Sequence, residues 1–217
     1  MTISDRTVAI IGTGNIGGTL AADFAAGGQD FLLAGRDADA ARKIAADLGG
    51  QAEVVSVDEA VQRAGVLVLA VWLDVFQQLI AQYGERLAGK VIVDPTNAVG
   101  PDGAGGYKKV IGEQESSGQI LAGLLPAGAR LVKAFGTLSA PTLAAVARRE
   151  PERAVLFYAA DDPAAGDLVA ELIRAAGYEP VRVGGLDQSI RIEMFGDLHE
   201  YGALGRAVTR TEALAAI

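Results

Sequence analysis

The stretch Thr7 to Gly18, TVAIIGTGNIGG, constrains this chain more than any other. Thr7 to Ile11 is a short β-branched run and predicts a buried strand. Gly12-x-Gly14-x-x-Gly17 follows, and Ile16 to Ala26 has the character of a helix. Glycines at that spacing also serve plain turns; a strand before them and a helix after them make the pattern a dinucleotide site. Gly12 permits the tight turn, Gly14 lets the backbone approach a pyrophosphate, and Gly17 allows close helix–strand packing. The first N–H groups of the helix then face the phosphate, and the helix dipole favours its charge.

A length of 217 residues with half of them hydrophobic gives one ordinary α/β domain with a sizeable core. The absence of cysteine excludes a disulfide framework, cysteine metal sites and a thiol nucleophile. A net charge of −8 makes the chain a poor nucleic-acid binder and requires its few cations to gather where phosphates are held. The opening residues are polar, with no signal peptide before the first strand, and no apolar run is long enough to span a bilayer. The expectation is a cytoplasmic protein acting on a small molecule, with no membrane or nucleic-acid partner.

Apolar runs at 31–34, 53–55, 66–71, 90–93, 130–135, 154–159 and 180–183 alternate with helix-like segments. This predicts a Rossmann-type, doubly wound, mainly parallel sheet. A dinucleotide-binding domain over 1–183 and a C-terminal helical extension over 184–217, serving as a cover or a dimer contact, follow. The second run ends in Gly35-Arg36-Asp37. Arg36 stands where an NAD-binding chain carries an acid to accept from the ribose 2′-OH, and a guanidinium there can grip a 2′-phosphate. NADP(H) is therefore the expected cofactor. Trp72 and Asn97 fall at carboxyl ends of strands, where ligands bind in open α/β sheets, and so become candidates for the nicotinamide pocket. Residues 98–112, AVGPDGAGGYKKVIG, read as a long irregular loop sited to cover a substrate.

A carbonyl or imine reductase needs a proton donor, and the candidates are Tyr107, Lys133 and His199. One histidine beside Asp197 and Glu200 with no cysteine argues against a metal site. Transfer of a hydride between two flat rings needs positioning more than acid–base groups, and alignment alone supplies up to roughly 7–11 kcal/mol of the barrier.

The glycine turn, Gly35-Arg36, Asp94 to Asn97, the Ser116-Ser117-Gly118 helix start, Leu125-Pro126 and above all LVKAFGTL at 131–138 resemble the coenzyme F420:NADP oxidoreductase family over nearly the whole chain. The resemblance implies a small dimeric Rossmann enzyme moving a hydride between NADPH and a deazaflavin. It implies that Thr13, Asn15 and Ile16 meet the pyrophosphate and Arg36 the 2′-phosphate. Trp72, Asn97, Ala134 and Phe135 would frame nicotinamide and acceptor. The family tends to carry proline near Trp72 and asparagine where this chain has Gly136, and the segment RIEMFGDLHEYGALGR is unlike the usual ending. The leading expectation is an NADPH-dependent oxidoreductase with coenzyme F420 or a flavin such as FMN as acceptor. The alternatives are a reductase of a small carbonyl or imine compound, with His199 or Tyr107 as the catalytic donor, and a non-catalytic NADP(H) sensor.

Overall fold

Eight short strands form one sheet in the computed structural model, which describes residues 7–217. Residues 1–6, read as the polar lead into the first strand, lie outside the described residues. β1 (Val8–Ile11), β2 (Phe31–Ala34), β3 (Ala52–Val54), β4 (Val66–Leu69) and β5 (Val91–Asp94) come first. Of these, only β3, at the edge, is not buried throughout, as expected for parallel strands covered on both faces. β6 (Val99–Pro101) and β7 (Tyr107–Lys109) form a separate hairpin. β8 (Arg130–Lys133), β9 (Val155–Ala160) and β10 (Glu179–Gly184) complete the sheet, in the order β10-β9-β8-β5-β4-β1-β2-β3. The six strands from β3 to β8 run parallel, in the order 3-2-1-4-5-8.

Helices α1 (Asn15–Ala26), α2 (Ala38–Ala46), α6 (Ala140–Val146) and α7 (Pro163–Ala175) contribute to the core on one face. Phe24 of α1 sits at its centre, edge-on to Phe31 at 6.1 Å and to Phe135 at 6.0 Å. Helices α3 (Val57–Arg63), α4 (Leu73–Tyr83) and α5 (Ser117–Leu124) cover the other face through Val61, Phe76, Ile80 and Leu121. Asp37, Ser56, Ser116, Ser139 and Asp162 cap α2, α3, α5, α6 and α7 with their side chains, satisfying N–H groups the helices cannot. α1 and α4 start at Gly14 and Trp72 with no side-chain cap.

Three features differ from the sequence reading. Residues 98–112 are not irregular: Asp102 accepts from the N–H groups of Ala104 (2.7 Å) and Gly106 (2.9 Å) and folds the stretch into the β6–β7 turn, a use of Pro-Asp-Gly with a known mechanism. β9 pairs antiparallel with β8, and β10 parallel with β9, so the last two strands run against the other six. The alternation of strand and helix does not encode that reversal, because VLFYAA is apolar in either direction. The C-terminal segment is helical only at a 3-10 turn (Leu186–Gln188), at α8 (Ser189–Ile192) and at α9 (Arg210–Ala216). Its Ile192, Leu198, Val208 and Ala213 bury against Val155, Phe157 and Val181. Among the described residues, no helix is long and apolar enough to cross a membrane.

Asp23 is buried on α1, where Tyr178 Oη donates to its carboxylate at 2.8 Å and Arg148 donates to its carbonyl at 2.7 Å. Burial pushes the Asp23 carboxyl up to about 6 from an ordinary value of 3.8, against the lowering by Tyr178 and Arg148. A carboxyl raised in the folded state contributes stability below its unfolded value, and that stability is lost as pH climbs to the folded value. Asp23→Asn should therefore gain on the wild type between about pH 4 and pH 7, by roughly 1–3 kcal/mol. Urea unfolding across that range measures the gap, and a gap independent of pH would contradict it.

Candidate active site

The chain leaves β1, builds β2 and β3 on one side, and then crosses to β4 on the other. The crevice at the carboxyl ends of β1 and β4 is thus the switch point where open α/β sheets bind ligands. Gly12 turns there with φ +121°, and a Cβ on it would run into the Ala70 carbonyl oxygen. A Cβ on Gly17 would meet the Gly12 carbonyl. Gly14 faces open space, with nothing within 4 Å of where its Cβ would stand. The first intrahelical bond of α1 runs from Gly18 N–H to Gly14 O at 2.8 Å, so the N–H groups of Asn15, Ile16 and Gly17 have no acceptor inside the helix.

Thr13 leans toward the end of β2, where a Cβ on Gly35 would lie 3.0 Å from its methyl. Arg36 is exposed beside it. Among the described residues no carboxylate pairs with Arg36, whereas Arg42 is held by Asp39. A dinucleotide fits this arrangement: room over Gly14, free N–H groups for a pyrophosphate, and an uncommitted guanidinium for a 2′-phosphate.

Trp72, which begins α4 at the end of β4, is 58% exposed. Asn97 follows β5, but both ends of its amide are committed: Nδ2 donates to Gly136 O at 3.0 Å and Oδ1 accepts from Met194 N–H at 2.6 Å. Ala134 and Phe135 follow β8. Ala134 N–H donates to Asp94 O at 3.1 Å. Phe135 takes φ +64° and turns its ring into the core against Phe24, leaving only its main chain at the edge.

The three candidate proton donors have separate fates. Tyr107 is half-exposed on the β6–β7 hairpin, opposite Pro101. Lys133 is buried, with its ammonium donating to Asp94 Oδ2 (2.9 Å), Ser117 Oγ (3.0 Å) and the Thr96 carbonyl. All three of its N–H bonds are used. His199 is buried as well. Its Nδ1 accepts from Tyr201 N–H at 2.9 Å, which assigns the ring proton to Nε2, 3.0 Å from Gly136 O. Burial pushes this imidazole down to about 4, against the neighbouring Glu200 carboxylate. The histidine expected as a candidate catalyst is a neutral strut between loops, because the interior takes up both of its nitrogens.

Glu193, Met194 and Phe195 belong to the same edge and carried no clear sequence signal. The buried Glu193 carboxylate accepts from Ser116 Oγ (2.9 Å), Ser117 N–H (3.0 Å) and Gly118 N–H (3.0 Å) at the start of α5. These bonds and the Lys133 charge hold it below the usual carboxylate range despite its burial.

This fold and crevice define a dinucleotide-binding protein of the Rossmann class. A family model described as NADP oxidoreductase, coenzyme F420-dependent, matches residues 7–98. An F420-dependent NADP reductase of Methanothermobacter thermautotrophicus is 30% identical over 198 residues, covering 86% of this chain and 84% of that protein. A solved Sinorhizobium meliloti structure superposes with a TM-score of 0.81 at 30% identity, over 94% of this chain and 95% of that one. An Arthrobacter structure at 24% identity shares the fold, with a TM-score of 0.74. The chain belongs to the coenzyme F420-dependent NADP oxidoreductase family, and it is an NADP-dependent oxidoreductase.

The lone histidine makes one test direct. Its ring proton signals, followed by NMR, should titrate near pH 4 and stay flat above about pH 5.5, against an ordinary midpoint near 6.5. A midpoint near 6.5 would place His199 in solvent.

Proposed function

We propose that the carboxyl edge of this sheet transfers a hydride between NADP(H) and a flat ring acceptor, the deazaflavin coenzyme F420. The observation that carries this reading is the state of the polar groups beside the crevice. Lys133 and His199 are both consumed by internal hydrogen bonds. The exposed side chains supporting an acceptor there, Trp72 and Phe195, are aromatic. With Lys133 and His199 spent and two aromatic faces free, this edge suits ring-to-ring transfer, which needs alignment, better than reduction of a carbonyl with either of those residues as the proton donor.

When bound, NADPH would supply a hydride, two electrons with one proton, and a second proton from water would complete reduction of the acceptor. In this reading the chain aligns the rings. Asn15, Ile16 and Gly17 offer N–H groups to the pyrophosphate, Arg36 forks onto the 2′-phosphate, and Trp72 borders the nicotinamide. The main chain at Ala134 and Phe135 closes the far side. Asn97 acts by fixing two loops rather than by touching cofactor.

NADPH oxidation measured in parallel with coenzyme F420, FMN and a small cyclic imine should show turnover with F420. Turnover with the imine alone would overturn the acceptor assignment, and no turnover with any acceptor would favour a sensor. Arg36→Ala should weaken NADPH binding roughly ten- to a hundredfold, the worth of hydrogen bonds to a charged group, and leave NADH nearly unchanged. Equal losses for both nucleotides would remove the 2′-phosphate role.

A further inference from the structure

Phe195 holds φ +74°, a backbone conformation that a bulky L-residue keeps only where its surroundings dictate it. Its ring is half-exposed, so packing of the ring does not supply that constraint. The constraint comes from either side. Upstream, Glu193 is bound by three donors at the start of α5 and lies 3.9 Å from the Lys133 ammonium. The next residue, Met194, donates its N–H to Asn97. Downstream, Leu198 N–H returns to Arg191 O at 2.9 Å, His199 docks on Gly136 O, and Glu200 N–H donates to Thr137 O at 3.2 Å. Residues 194–198 are a short loop fastened at both ends to the loops that follow β5 and β8.

We propose that Glu193 and Lys133 are positioning residues for the acceptor. Lys133 draws the ends of β5, β8 and α5 onto one ammonium, and Glu193 ties the C-terminal loop to that cluster. Phe195 is thereby presented in its left-handed turn as a wall of the acceptor pocket. The charge on Glu193 is essential to this arrangement. The carboxylate accepts from two backbone N–H groups and a hydroxyl, with the Lys133 ammonium 3.9 Å away as a facing positive charge. A glutamine would turn an amide N–H₂ toward one of them and leave two donors facing each other. The inference rests on the reading of the carboxyl edge as the acceptor's face.

Glu193→Gln in the full chain tests it, with coenzyme F420 as the probe acceptor. Its KM for F420 should rise about tenfold or more, with kcat changed less and NADPH affinity held within about twofold. Amide hydrogen exchange at Met194, Leu198, Glu200 and Tyr201 should quicken about tenfold, while β1 and α1 stay protected. Ser116→Ala removes one donor from the carboxylate and should shift the same quantities less, which keeps the test open should the glutamine variant fail to fold. Unchanged exchange at residues 194–201 in a folded Glu193→Gln protein would overturn the proposal, as would loss of NADPH binding in step with the F420 kinetics. Faster exchange with unaltered F420 kinetics would uphold the anchoring and overturn the reading of this edge as the acceptor's face.

Discussion

Lys133 carries a charge into the interior, where an ammonium without partners would cost several kcal/mol, and the loops of the carboxyl edge are arranged so that it has them. Its three acceptors come from the end of β5, the loop beyond it and the start of α5. Asp94 is shared further: its second oxygen takes Thr96 N–H at 2.8 Å. These bonds draw the β5 and β8 loops close enough that a Cβ at Gly136 would stand 3.0 Å from the Pro95 carbonyl. The main chain of Gly136 then becomes a hub, its carbonyl receiving both Asn97 and His199. Two of the three departures from the family pattern, Gly136 and the C-terminal segment, therefore meet at one atom. An asparagine at 136 would have to displace the loop that this ending docks on.

The nucleotide side solves a different problem. A chain of net charge −8 that takes a polyanion has to rely on local dipoles rather than on net charge. Six of the described helices spend a side chain on capping, while α1 and α4, which follow the two strands at the switch point, have no side-chain cap. The positive ends of these two helices lie at the switch point, and Arg36, the proposed 2′-phosphate contact, adds an exposed guanidinium beyond β2.

What was legible in the sequence tracks how local the cause is. The glycine turn, β2 and the helix start at Ser116 were readable, because each is set by a few adjacent residues with a steric or hydrogen-bonding reason. VLVLAV announced a doubly covered strand for the same reason. The β6–β7 hairpin was readable in principle from Pro101-Asp102-Gly103 and was obscured by the surrounding glycines. The direction of β9 was not written locally at all. Neither was the fate of His199, since nothing near it in the chain shows that Gly136 and its own loop will occupy both nitrogens. Glu193 is the extreme case: its donors lie 75 to 77 residues away, and in sequence it is one more acid in a polar tail.

That separation also orders events as the chain is made. The crevice between β1 and β4 needs only residues up to about the start of α4, joined by neighbouring βα units, and such local contacts form early and cheaply. The β5 and β8 loops have no permanent partner until Glu193, Met194 and His199 arrive, with Met194 closing on Asn97 across 97 residues. Because synthesis delivers the N-terminal part first, α5 is made well before the carboxylate that its first turn will hold. The loops beyond β5 and β8 are the last piece of the molecule to become themselves.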